Sequence, residues 1–180
     1  MSWTVEQTNK NKEDIKLLDA QVQRAATANI LMYCACRDGA WNEKQKGPYP
    51  SASDTLKIRR IGSSDPDGHL SSWVNPDSVD YLFPGESLSQ GDNSYGSSAS
   101  TAFASGLAAM ILWCFMATGE SIDDIRTPEK MKMLFDSLDT RNKYINVVSL
   151  FESVSERQKR EKEGKIKAFV KECKAKANML

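Results

Sequence analysis

The sequence predicts an α/β domain built on a parallel sheet, and three observations carry that reading. An amphipathic repeat over Glu13–Thr27 leads into a continuous apolar run, Ile30-Leu31-Met32-Tyr33-Cys34-Ala35-Cys36. Such a run is what a strand buried on both faces requires. Two further short apolar stretches, Leu56–Ile61 and Val79–Phe83, read as strands of the same sheet. Finally, a Gly96-Ser97-Ser98 turn opens a long helix of small and apolar residues with no charge until Glu120.

Each element follows from local chemistry. In the first helix Ile15, Leu18, Val22, Ala25 and Ala26 recur at helical spacing. The loop between Gly39 and Asp54 is rich in Gly, Pro, Lys and Asn, which predicts exposure. The stretch Ser87–Ser98 is rich in Ser, Gly and Asn, which reads as a mobile linker or a site loop, and its place before Ser98 favours the site loop. Met131, Leu134, Phe135 and Leu138 define another amphipathic helix. Thr127-Pro128-Glu129 opens it with a cap, a proline that needs no donor, and an acidic first turn.

Bulk properties exclude several classes. The chain has 180 residues, one ordinary domain. Its 24 basic and 24 acidic side chains balance, so no global field draws it to nucleic acid. Ala99–Thr118 comes nearest to a membrane span, but its Ala, Ser and Gly content, with Thr101 and Ser105, fits a buried helix of a soluble domain. Cys34, Cys36, Cys114 and Cys173 match neither a disulfide framework nor a zinc pattern. Cys34 and Cys36 point to one face of a strand, and without a second Cys or His pair they read as small buried side chains. No metal and no cofactor are expected. The only histidine, His69, follows Gly68 in a polar turn and reads as solvated.

Hydroxyls at the first turn of the long helix suit two jobs. One is capping, where a Ser oxygen accepts an orphan backbone N–H. The other is nucleophilic: a helix N-terminus favours developing negative charge beside a reacting serine.

The segment from Gly96 to Ala109 resembles the nucleophile motif of the subtilisin-like serine proteases, Gly-Thr-Ser-x-Ala-Thr/Ser-Pro-His-x-x-Gly-x-Ala-Ala. Gly96, Ser98, Thr101, Gly106, Ala108 and Ala109 match, while Ser100, Ala102 and Phe103 depart on the supporting helix. Further segments follow in the family's order. Asn29–Gly39 resembles the buried strand ending in Ala-Ala-Gly-Asn-x-Gly, and Tyr49-Pro50-Ser51-Ala52 resembles Tyr-Pro-Ala. Ile58–Gly62 with the turn to Trp73 resembles the Val-Gly-Ala strand, and Val79–Glu86 resembles Asp-x-x-Ala-Pro-Gly. The branch it resembles is the intracellular subtilase-like domain of filamentous-fungal multidomain proteins.

The resemblance implies a subtilisin-like parallel sheet with helices on both faces and its N-terminal portion missing. Residues 1–151 would be a partial peptidase domain and 152–180 a mixed-charge helical tail. Ser98 takes the nucleophile's place. The oxyanion-hole candidates are the Ser98 backbone N–H and Arg37, with Asp38 at that position if one residue is gapped. Ser2, Trp3, Thr4, Ala35, Cys36 and Gly39 would line the substrate groove. The family's triad runs Asp, His, Ser along the chain, and neither the Asp nor the His has a counterpart here. Serine-type endopeptidase chemistry on a peptide or protein substrate is therefore expected only with the missing half, and the chain alone is expected to be inactive. The alternative is a non-catalytic remnant serving as an interaction module.

In the tail, Ile166, Phe169, Val170 and Cys173 form a short apolar stripe among Lys and Arg. Interspersed Glu156, Glu161, Glu163 and Glu172 favour a solvated helix packing weakly on the domain over an anion-docking surface. Neither nucleic acid nor membrane is expected as a partner, and the expected location is cytoplasmic.

Overall fold

The computed structural model describes residues 1–39, 48–53, 57–86, 96–123, 125–146 and 162–177. Five strands form one sheet: β1 (Met32–Ala35), β2 (Ile58–Ser64), β3 (Tyr81–Pro84), β4 (Asp139–Arg141) and β5 (Tyr144–Ile145). Their order is β1-β2-β3-β5-β4. The first four in that order run parallel, and β4 closes the far edge antiparallel to β5. The α/β parallel-sheet class predicted from the sequence is the observed one.

Helices cover both faces because successive strand residues point to opposite sides. On one face Met32, Cys34 and Ile58 pack with Val22 and Ala26 of α1 (Lys12–Thr27). On the other, Tyr33, Ile61, Tyr81 and Phe83 meet α2 (Ser97–Ala117) through Ala104, Leu107, Ala108, Ile111 and Phe115. The same core takes in Met131, Leu134, Phe135 and Leu138 of α3 (Pro128–Leu138). Phe135 lies at its centre, with ring centroids 5.8 Å from Tyr33, 5.4 Å from Tyr81 and 5.9 Å from Phe83. Thr127 caps α3 as predicted, its Oγ1 accepting the Lys130 N–H at 3.3 Å. By length and composition α2 could cross a bilayer, but its buried side lies against the sheet.

Local differences from the sequence reading have physical causes. Strand β1 starts at Met32, not Ile30, because α1 ends in a turn with Asn29 at φ +55° and the Ile30 N–H bonded back to Ala25. Strand β2 runs past Ile61 to Ser64. Gly62 allows this, since a Cβ there would come within 2.7 Å of Val79 and 2.9 Å of Val74. Strand β3 begins at Tyr81, after Asp80 has turned its carboxylate to Arg60 at 2.7 Å. Leu56, most of the loop before Pro48, residues 87–95 and residues 147–161 lie outside the described residues.

The tail helix corrects a second expectation. The stripe on α4 (Lys162–Lys176) is not solvated: Phe169, Val170 and Cys173, with Ala177 just beyond, are buried in the main core beside α2 and α3. Its basic residues sit around the rim, where Lys174 pairs with Glu120 at 2.6 Å. The charged periphery hid an apolar seam that tertiary packing uses.

The cysteines are buried and free. Burial pushes the thiols of Cys34 and Cys173 up to about 12 from an ordinary value near 9. Unfolded, these groups ionise first, so the unfolded state binds fewer protons once pH passes 9. Their contribution is intact below pH 9 and is lost as pH climbs toward 12. Each thiol should remove about 1.4 kcal/mol of stability per pH unit in that window. Urea denaturation at about pH 8 and pH 10 checks this.

Candidate functional site

Helix α2 aims its N-terminus at the carboxyl ends of β1 and β3, the end of an open parallel sheet where ligands bind. Three serines tie it down. Ser100 Oγ donates to the carbonyls of Phe83 at 2.9 Å and Pro84 at 3.2 Å. Ser97 is fully buried, and both its backbone N–H and its hydroxyl donate to the Asp38 carboxylate, at 2.8 and 2.6 Å. Ser98 is exposed, and its hydroxyl donates to the Ser2 carbonyl at 2.8 Å.

The turn into α2 depends on two glycines. Gly96 sits at φ +109°, in a region closed to L side chains, with the Asp38 carboxylate against it. A side chain on Gly85 would strike Ser100, Ser63 and the Gly96 carbonyl. Ser98, on the first turn that follows, is exposed.

The N-terminal segment runs along the β1 edge. The Met1 amine donates to the Tyr33 carbonyl at 2.6 Å, and the Ala35 N–H donates to the Met1 carbonyl at 3.0 Å. Ser2, Trp3 and Thr4 follow, all exposed, and the Ser2 carbonyl accepts from the Ser98 hydroxyl. Ala35 and Cys36 are buried: the Cys36 thiol donates to the Ser78 carbonyl at 3.1 Å, so these two present backbone. Gly39 is exposed, its N–H on the Trp73 carbonyl at 3.2 Å. Arg37 is exposed and pairs with Glu6 at 3.1 Å.

Sequence reasoning placed Asp38 at an oxyanion position only as a gapped alternative and did not see that it caps α2. Gly96 has no side chain to cap the helix that follows. The orphan N–H of Ser97 is met instead by the distant Asp38 carboxylate.

His69 stands apart. It lies in the β2–β3 turn, its Nδ1 3.0 Å from Asp65, and is mostly exposed. With Asp77, Lys143 and Tyr144 it lines a cleft of about 900 Å³ that includes neither Ser98 nor Ser2. Asp65, Asp67 and His69 bring ligand atoms within 4.8 Å of one another. Asp65 Oδ1 already accepts the backbone N–H groups of Asp67 and His69, which accounts for the cluster as a turn.

This is the fold of subtilisin-like protease domains. The chain is similar to the solved self-cleaved protease domain of PatA, with TM-score 0.55 and 20% identity, over 88% of this chain and 55% of that one. A mutant of the same PatA domain gives TM-score 0.57 at 20% identity, covering 87% and 57%. The prenylagaramide maturation protease PagA gives TM-score 0.57 at 17% identity, covering 96% and 60%. The chain thus spans little more than half the length of these solved domains. No protein-family model matches it, and no curated protein does.

Proposed function

We propose that this chain is the serine-bearing part of a subtilisin-like endopeptidase domain, with Ser98 as nucleophile. The observation that supports it is an exposed Ser98 hydroxyl on the first turn of α2, above the carboxyl ends of the parallel strands. In that reading Ser98 Oγ bonds to a peptide carbonyl carbon as a base takes its proton. The C–N bond then breaks, the amine leaves with that proton, and water hydrolyses the acyl-enzyme. The Ser98 N–H, in a helical turn without intrahelical acceptors, would hold the oxyanion, with Arg37 as a second donor. Ser2, Trp3 and Thr4 and the backbone of Ala35, Cys36 and Gly39 would line the groove for a peptide or protein substrate. The base and its orienting carboxylate come from polypeptide outside this chain. The same proposal includes a cytoplasmic setting and kinship with the intracellular subtilase-like domains of fungal multidomain proteins.

A second reading, a non-catalytic interaction module, draws support from Asp38. Its carboxylate sits at the α2 N-terminus, where an oxyanion would need a donor. A negative charge there opposes a second one.

Labelling with a fluorophosphonate probe tests both. The measurement uses this chain and a form joined upstream to a subtilisin-like half carrying Asp and His, each with a Ser98→Ala control. Labelling of the joined form alone, abolished by the substitution, is the expected result. An unlabelled joined form that is folded by circular dichroism would reject the protease reading in favour of the module.

A further inference from the structure

The cleft of about 900 Å³ beside His69 lies over the face of the sheet opposite α2. Its lining includes Leu82, which alternates along β3 with Tyr81 and Phe83, and those two point into the α2 core. The β2–β3 connection contributes Asp67 and Leu70 early and Asp77 late, while Lys143 and Tyr144 come from the β4–β5 turn and β5.

Its frame is braced. Asn142 and Lys143 hold φ at +47° and +73°, a region that favours glycine. That turn aims the Lys143 ammonium at the carbonyls of Pro76 and Val79, donating to each at 2.8 Å. Gly68, at φ +87°, lets the opposite loop close on the Tyr144 ring, where an added Cβ would come within 2.5 Å. Both loops are therefore fixed to β5 or to each other.

The charges on this frame are unevenly met. Lys143 is committed to two carbonyls, and Asp65 has the His69 Nδ1 at 3.0 Å. Asp67 and Asp77 are exposed, and only their backbone N–H groups are bonded, to Asp65 and Asn75. Their carboxylates have no ion-pair or hydrogen-bond partner among the described residues. The surface they share is apolar, with Leu70 36% exposed beside Pro76, Val79 and Leu82.

Two free carboxylates from separate parts of one loop, over an apolar floor, complement a ligand that alternates cationic and branched apolar groups. An extended peptide does so with basic side chains on either side of a leucine-like one. A simple diamine would meet the carboxylates and leave the apolar floor uncovered. We propose that this cleft is a docking site for a basic, apolar peptide segment, separate from Ser98. The inference goes beyond the protease reading and does not depend on it.

The test is fluorescence anisotropy with the full chain and two blocked, dye-labelled pentapeptides, Leu-Arg-Leu-Arg-Leu and Gly-Arg-Gly-Arg-Gly. It is run at about pH 8, above the range in which imidazoles ordinarily take up a proton. The leucine peptide should bind at least about fivefold more tightly than the glycine one. Asp67→Asn combined with Asp77→Asn should weaken it about threefold to tenfold, the worth of two partly exposed ion pairs. Asp14→Asn combined with Asp123→Asn changes the net charge equally at exposed positions outside the cleft, and should leave affinity unchanged. Equal losses in the two double variants would overturn the proposal, as would equal affinity for both peptides or for 1,5-diaminopentane. A leucine peptide that does not bind would also end it. Trp3→Ala, in the groove proposed beside Ser98, should have no effect; a loss there would move the peptide to that groove and empty the cleft of its role. Fluorophosphonate labelling reads Ser98 and peptide affinity reads the cleft, so the failure of one is distinguishable from the failure of the other.

Discussion

Asp38→Ala should cost about 3 kcal/mol, because one carboxylate satisfies two donors of a buried residue. Without it the Ser97 N–H and hydroxyl, fully buried at the head of α2, have no acceptor from this residue, and the helix loses a negative charge at its positive end. The urea midpoint should fall by about 1–2 M at unchanged slope. A loss under about 0.5 kcal/mol would mean that solvent replaces the carboxylate. Asp38→Asn separates structure from chemistry. The amide oxygen keeps one acceptor, so the expected loss is smaller, about 1–2 kcal/mol. In the form joined to a catalytic half, the same change exchanges a negative acceptor for an N–H donor near Ser98. One oxyanion donor is worth about two to three orders of magnitude in rate. Faster fluorophosphonate labelling of Asp38→Asn is therefore expected if the serine is a nucleophile, and unchanged labelling if it is not.

Gly96→Ala should be at least as damaging. At φ +109° and ψ −178° the backbone lies where only glycine is comfortable, and a methyl group would press into the Asp38 carboxylate. Strain of about 1–3 kcal/mol adds to displacement of the cap. The expected total is about 3–4 kcal/mol, read as a lowered melting temperature, with Gly106→Ala as the contrast. Gly106 is an exposed helical position with nothing within 4 Å of an added Cβ. That change should be neutral or stabilising by up to about 1 kcal/mol. Equal melting temperatures for the two variants would show that the turn before α2 tolerates side chains.

The contrast between Gly96 and Gly106 marks how much of this molecule was legible from residues alone. The uninterrupted apolar stretch through Met32–Ala35, the helical repeat of α1 and the Thr127-Pro128 opening of α3 are local signals, and each formed the element expected. The position of Ser98 came from the resemblance alone; its exposure beside the fully buried Ser97 depends on tertiary contacts that the Gly-Ser-Ser pattern does not encode. The partnership of Asp38 with Ser97 joins residues far apart in sequence through a loop whose path no periodicity encodes. Strands β4 and β5 were missed as a pair because Asp139–Arg141 is short and polar, and its edge position needs no apolar pattern. The seam of α4 was misjudged since Lys165, Lys167, Lys171 and Lys174 interrupt it. Long basic side chains reach past a buried stripe to water, so composition does not separate a docked helix from a free one.

The position of α4 also bears on how the protein is made. Helix α2 leaves the ribosome long before α4 does, yet Cys114, Phe115 and Leu138 share a core with Phe169, Val170 and Cys173. Throughout that interval the nascent chain carries an uncovered apolar surface on its most hydrophobic helix. Until α4 docks, that surface is open to self-association, so folding is completed by the last helix described.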